Sequence, residues 1–263
     1  MQIFRNRTVV ARMRRFFFFR LSLTIHFVMF GFLCDCISAL PREIPQDFSM
    51  GVFQGGGMTP NSESFYLSSA ISYHKIRDYR KESILFFQSD PKIIQELYEQ
   101  IRSNNFDNIQ VRQEKVYDRG GISVQVTANK EVYNKSDSGM TFIRTHWRTS
   151  WKNVLEAADL AKSKSLEGKS KIPVSLQLSV NKEPYSLGIT IGRISVYYEY
   201  QIFEGSPPDT KFEFVPGKYS LVIETYAKGI PFMRRNLELA IPPNIKQGII
   251  KIDSTNAVFE AIP

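Results

Sequence analysis

The chain has 263 residues, 43% hydrophobic and 23% charged, a balance that fits globular domains and excludes extensive disorder. Its formal charge of +8 would suit a nucleic-acid binder, but Arg5, Arg7, Arg12, Arg14, Arg15 and Arg20 all precede the first acidic residue, Asp35, and without those six the remainder carries only +2. Both cysteines, Cys34 and Cys36, lie in the same segment, so disulfides, thiolate metal sites and cysteine nucleophiles are excluded from the folded body.

In chain order, residues 1–39 read as a signal peptide or membrane anchor. An arginine-rich start, in which Met13 is an alternative initiator, leads into an apolar core at 21–33. That core has signal-peptide length and falls short of the ~20 residues a spanning helix needs. Cleavage is expected after Ala39, with Ile37 and Ala39 at the recognition positions. Leu33-Cys34-Asp35-Cys36 also resembles a bacterial lipoprotein box and makes Cys36 or Cys34 the lipidation candidate, although Leu33 and Asp35 stand where small residues are usual. An uncleaved anchor is the other alternative. The membrane is the partner expected of this segment, through the peptide itself or a lipid.

The length suits two modest domains after this segment, expected at 46–163 and 172–263 with a linker at 164–171. Pro41 to Pro45 reads as an extended tether, and 46–53 as a first strand. Gly55-Gly56-Gly57 marks a turn or bulge rather than a phosphate cradle, because the glycines are contiguous and no helical pattern follows. Further strands at 65–67, 71–76 and 84–87 suggest an antiparallel meander, with a charged turn at 78–82. Alternation places His74 on the polar face. Asp90-Pro91 predicts a helix start, the aspartate as N-cap and the proline in the first turn. Ile93, Ile94, Leu97, Tyr98 and Ile101 then form one apolar stripe. Ser103-Asn104-Asn105 ends it, and Phe106 and Ile109 return to the core.

The most informative stretch is a hairpin from Val116 to Met140. Ile122, Val124 and Val126 alternate with Ser123, Gln125 and Thr127, a turn is expected at Ala128-Asn129-Lys130, and 131–135 returns antiparallel. Two polar loops, Tyr117-Asp118-Arg119-Gly120-Gly121 and Ser136-Asp137-Ser138-Gly139, then fall at the same end, so Asp118, Arg119 and Asp137 are expected to be close. A second helix is predicted at 141–162, with Ile143, Trp147, Trp151, Val154, Leu155 and Ala158 on its core stripe. His146, near its start, would face the loops. Asp118, Arg119, Asp137 and His146 are the candidate binding residues.

Ser62-Glu63, Leu97-Tyr98, Asn105-Phe106-Asp107, the two polar loops, Met140 and the tryptophan pair come in an order that resembles a family of uncharacterised exported bacterial proteins and lipoproteins. The similarity covers about residues 47–161. It implies an envelope-associated protein and brings no catalytic residues with it.

The linker holds Gly168-Lys169-Ser170, but Ser163 replaces the first glycine of a P-loop and a helix precedes it, so nucleotide binding is rejected. From Ile172 the pattern is β: Val174, Leu176, Leu178 and Val180 alternate, as do Phe212 and Phe214, and Leu221, Ile223, Ile249 and Ile250 continue it. Turns are expected at Pro207-Pro208-Asp209, Pro216-Gly217, Lys228-Gly229 and Pro242-Pro243-Asn244. Pro216-Gly217-Lys218-Tyr219 is similar to the turn of carboxypeptidase-regulatory-like β-sandwiches, which implies a scaffold or adhesive module with the tyrosine packed near a core strand. Tyr197, Tyr198 and Tyr200 form an aromatic cluster that either packs in the sheet or faces a partner.

The fold expected is therefore α+β: an antiparallel sheet with two packed helices, followed by an Ig-like or regulatory-like sandwich. Binding or scaffolding toward an envelope protein or surface ligand is the expected function, with no cofactor, no metal and no nucleic acid. The alternative is a hydrolase using Asp118, Asp137, Ser138 and His146. It lacks the glycine two residues before Ser138 that a nucleophile elbow needs. In the structural reading of the same residues, Ser138 caps the second helix. Asp107, Asp118 and Asp137 lack the spacing of a calcium loop.

Overall fold

Strands β1 (Ser49–Gly56), β2 (Ser62–Ser68), β3 (Ser72–Asp78) and β4 (Lys81–Phe87) pair antiparallel in succession, as the meander pattern predicts. This computed structural model describes residues 38–263 except Thr59, Arg80, 179–192, Glu199, 206–209, 228–229 and 254–255. At 178, 193–198, 200–205, 210, 225–227 and 230–233 it describes backbone alone. Most of the segment expected to direct export, with Cys34 and Cys36, as well as Val180, the turns at Pro207-Pro208-Asp209 and Lys228-Gly229, and the side chains of Leu178, Tyr197, Tyr198 and Tyr200 thus lie outside what is described.

The run Ile84-Leu85-Phe86-Phe87 shows no alternation, the pattern of a strand buried on both faces. Leu85 and Phe87 enter one core while Ile84 and Phe86 enter another. Helix α1 (Pro91–Ser103) follows; Asp90 Oδ1 accepts from the Lys92 amide at 2.8 Å, Pro91 occupies the first turn, and Ile94, Leu97, Tyr98 and Ile101 are buried. Asn105 turns the chain at φ 49° and returns Phe106 and Ile109 to the same core.

Short strand β5 (Val111–Gln113) leads to the hairpin of β6 (Gly120–Ala128) and β7 (Glu131–Asp137). Its turn uses positive φ at Asn129 and Lys130, the geometry that matches strand twist. Both turn amides donate to Asp47, at 2.8 and 2.6 Å. The Lys130 amide foremost holds that carboxyl below its ordinary range.

The second helix starts later than the sequence predicts. Thr141–Ile143 forms β8, paired with β5, because its β-branched and aromatic residues suit a strand. A 3-10 turn at Thr145–Trp147 then opens α2 (Arg148–Leu166). Trp151, Val154, Ala158 and Ala161 are buried against the sheet; Trp147 and Leu155 pack at its margin. Lys164, Ser165 and Leu166 belong to α2 rather than to a linker. The Ser165 hydroxyl, buried, donates to Ser89 Oγ at 3.0 Å, and Ser89 Oγ in turn lies 3.0 Å from Ser72 Oγ. The tether is docked as well: Leu40 is 2% exposed, and the Pro41 carbonyl accepts from the Tyr98 hydroxyl at 2.7 Å.

Eight strands follow: β9 (Ile172–Leu178), β10 (Arg193–Tyr198), β11 (Tyr200–Gly205), β12 (Thr210–Phe214), β13 (Gly217–Ala227), β14 (Ile230–Ile241), β15 (Gln247–Ile252) and β16 (Ala257–Ile262). They are not a separate sheet system. The order β16-β15-β9-β12-β4-β3-β2-β1-β6-β7 is one mixed sheet of ten strands, and β11-β10-β13-β14 is a second of four. β12 runs parallel to β4, Phe212 beside Ile84 and Phe214 beside Phe86, across the boundary expected between two domains. The physical reason lies in β4, whose second apolar face and open edge require cover. Residues Leu40–Pro263 form one compact unit.

Each core takes a different cover. Helices α1 and α2 lie on one face of β1, β2, β4 and β6. The four-stranded sheet supplies Tyr219, Leu221, Ile223, Leu237, Leu239 and Ile241 to the opposite face, over Phe86, Val174, Phe212, Phe214 and Ile250. Tyr219 is buried with its hydroxyl donating to the Val215 carbonyl at 2.6 Å, and burial pushes its pKa up. The architecture is mostly β, a large mixed sheet with two helices in the described body.

Candidate functional site

The hairpin register sets Ile122 opposite Asp137 and so brings the two polar loops together, as alternation predicts. Gly121 permits the approach: a Cβ there would overlap the Asp137 carbonyl oxygen and stand 2.7 Å from Ser138 Cα. Arg119 then fills the gap. Its guanidinium pairs with the Asp137 carboxylate, and it donates to the carbonyls of Asp137 at 3.2 Å, Thr141 at 3.0 Å and Gly139 at 3.4 Å. It lies 4.0 Å above the Phe142 ring, and its own carbonyl accepts from the Gly139 amide. Asp118 supplies a bend at φ 56°. This guanidinium closes a loop.

Ser138 does not cap α2, which begins well beyond it. Its hydroxyl bonds Ser136 Oγ at 2.9 Å, and Ser136 bonds Ser123 at 2.8 Å. His146 sits exposed in the 3-10 turn with its ring 5.6 Å from that of Trp147. Among the described residues no hydrogen bond joins Ser138 to His146. The structure therefore unites Arg119, Asp137 and Ser138 in one loop network, while the imidazole belongs to another element.

A second cluster escapes the sequence. His74 pairs with Phe65 in the β2–β3 register and so shares the helix-side face, contrary to its expected polar placement. Its Nε2 lies 2.7 Å from Glu63 Oε1, and Lys162 Nζ from α2 reaches the same oxygen at 3.0 Å while standing 4.4 Å from the Phe65 ring centre. Burial favours the neutral imidazole and outweighs the pull of Glu63, so the His74 pKa is lowered. Burial acts upward on Glu63, but the bonds from Lys162 and His74 prevail and its pKa falls. Lys164 pairs with Glu96 at 2.9 Å and Lys169 donates to the Gln88 carbonyl at 2.9 Å, so with Lys162 three lysines near the end of α2 are tied to the body.

The third feature is on the sheet face away from the helices. Strand pairing forms two rows there. One reads Asn134, Gln125, Gly51, Tyr66 and Tyr73; the next reads Ser136, Ser123, Phe53 and Ser64. A cleft of about 680 Å³ includes Gly51, Phe53, Ser64, Tyr73, Ser123, Gln125, Asn134 and Ser136 in its lining. Phe53 is 48% exposed on this face, Gln125 and Asn134 are exposed beside it, and Val52, Phe65, Val111, Val124 and Lys135 also line the cleft. Alternation in β6 places Ser123 and Gln125 off the core, but only the pairing of four further strands shows what joins them.

Among the described residues, no group of three or more His, Cys, Asp and Glu side chains is placed to hold a metal ion, and no helix is long and apolar enough to cross a membrane. Comparison with protein-family models and with curated proteins finds no match.

Proposed function

We propose that the chain is an exported, cell-envelope-associated protein that works as a binding module, held at the membrane by its amino-terminal segment or by a lipid on Cys36 or Cys34. Six arginines that precede every acidic residue lie in that segment and leave +2 for the remainder, and both cysteines lie there too. The observation that carries the reading is Leu40, which follows the expected cleavage point directly and is buried at 2% exposure in the helix-side core. Leu40 thus belongs to the body while directly following the point at which a leader would be cut. The partner is an envelope protein or a surface ligand.

The resemblance of the Pro216-Gly217-Lys218-Tyr219 turn supports reading the carboxyl-terminal strands as a regulatory-like sandwich. In that reading Tyr219, bonded to the carbonyl four residues upstream, acts as a tyrosine corner. The buried cluster between the two sheets supports it too. A sandwich sharing strands with the helix-bearing sheet would serve as a scaffold for the open face.

The test is fractionation of a bacterial host expressing the full chain, with added protease on intact and on opened cells. The reading predicts a protein in the envelope fraction, cut only once the protease gains access beyond the cytoplasmic membrane. Full-length protein in the soluble cytosol would overturn it. Palmitate labelling that disappears in Cys36→Ser or Cys34→Ser would assign the lipid form of attachment.

A further inference from the structure

The polar rows on the open face of the sheet have a chemistry that narrows the ligand. We infer that this face, around Phe53, Gln125 and Asn134, binds an uncharged, hydroxyl-rich oligosaccharide. The inference rests on the proposed function as a binding module and goes further by naming the ligand class.

The interior strands beneath the rows leave few main-chain groups to offer. β1 lies between β2 and β6, and β6 between β1 and β7, so their backbone is committed to the ladders. An extended peptide recognised by strand addition would take the edge of β7, where the sheet ends, and not this face. Recognition here must come from side chains.

Those side chains are amides and hydroxyls. Gln125 and Asn134 face each other across β6 and β7, and each amide offers both donors and an acceptor at fixed spacing. Sugar hydroxyls likewise donate and accept, so neighbouring hydroxyls match such amides without any ionised group. Ser123, Ser136 and Ser64 continue the same lattice. Gly51, between Gln125 and Tyr66, adds no side chain and leaves a trough.

Phe53 supplies the apolar part. Its neighbours across the strands are Ser64 and Ser123, and the ring tip reaches over Gly55, where a Cβ would stand 3.2 Å from Cζ. A half-exposed ring in a hydroxyl-lined floor suits the C–H face of a pyranose, which is apolar while its rim is polar. Lys75 follows Ser64 in the second row and pairs with Glu82 at 2.8 Å, and Lys135, which also lines the cleft, donates to the Asp107 carbonyl at 2.8 Å. Both cations are thus engaged, and the side chains of the two rows as far as Ser64 are uncharged, so they present no ionised partner to a phosphate or uronate.

The test uses the full chain purified in detergent and titrated calorimetrically with cello-, malto- and N-acetylglucosamine oligomers, with a uronate oligomer and an unstructured peptide as comparators. At least one neutral oligomer is expected to bind saturably and more tightly than either comparator. Phe53→Ala and Gln125→Ala should each weaken it about tenfold, whereas Leu160→Ala on the helix surface should leave it unchanged. Circular dichroism of each variant confirms folding, and Asn134→Asp, a near-isosteric charge insertion, gives a second reading on the same face. Absence of binding by every neutral oligomer overturns the inference, as does binding that ignores all three lattice variants, or a preference for the uronate or the peptide. In each of those cases envelope fractionation would leave the proposed function standing; only cytosolic full-length protein removes both.

Discussion

Phe86 of β4 and Phe214 of β12 stack with ring centres 4.7 Å apart and planes inclined by 17°, joining the helix-bearing part of the chain to its carboxyl-terminal strands. Both rings are almost wholly buried. Phe214→Ala should cost about 3–5 kcal/mol, the range for losing a buried aromatic ring. Because the two parts share this sheet, the loss should lower the urea midpoint reported by Trp151 fluorescence in the helical part together with that from far-UV circular dichroism. A tryptophan midpoint that does not move would show that the two parts unfold independently.

Arg119 is predicted to matter for stability rather than chemistry. Arg119→Ala leaves three carbonyls and the Asp137 carboxylate without their donor, and should cost about 1–3 kcal/mol in urea melts. His146→Ala, on an exposed turn, should stay within about 0.5 kcal/mol of the parent. Equal losses in the two variants would contradict the assignment of Arg119 to loop closure.

The Glu63–His74–Lys162 cluster predicts acid sensitivity with a defined sign. The folded pKa of His74 lies below the ordinary 6.5 of an imidazole, so below that pH the unfolded chain binds the extra proton and stability falls as pH falls. Glu63 has a folded pKa below the ordinary 4.5 of its carboxyl and adds a second loss in the same direction at lower pH. Urea midpoints measured from pH 7.5 down to about 5 should drop more steeply for the parent than for His74→Gln, which cannot titrate. A parent and variant with parallel profiles would contradict it.

Leu40 is predicted to be part of the core rather than of a tether. Leu40→Ala should cost about 2–4 kcal/mol, whereas Leu40→Met, which keeps the volume, should cost less than ~1.5 kcal/mol. Thermal melts of the full chain would compare the two. Indifference to Leu40→Ala would return the segment to a free linker.

What could be read in the sequence was local. Asp90 before Pro91 marks a helix start through chemistry contained in three residues, and Ile122, Val124 and Val126 share a face because a strand alternates regardless of its partners. His74 was misplaced because β3 has cores on both sides: Tyr73 is buried on one and His74 tucks under α2 on the other, so alternation defines no wet face. The join of β12 to β4 was equally hidden. Its signal is the unbroken apolar run at Ile84–Phe87, which demands a covering strand without saying which one. The rows of the open face depend on the pairing of β1, β2, β3, β6 and β7 together, a property of register that no single segment holds.

The most direct measurement of the central claim is the intact mass of the full-chain product, recovered separately from envelope and cytosol. The account predicts that the envelope fraction holds the protein, either shortened to begin at or just before Leu40, lipidated on Cys36 or Cys34, or whole and membrane-bound through its amino-terminal segment. A full-length mass recovered chiefly from the soluble cytosol would contradict it.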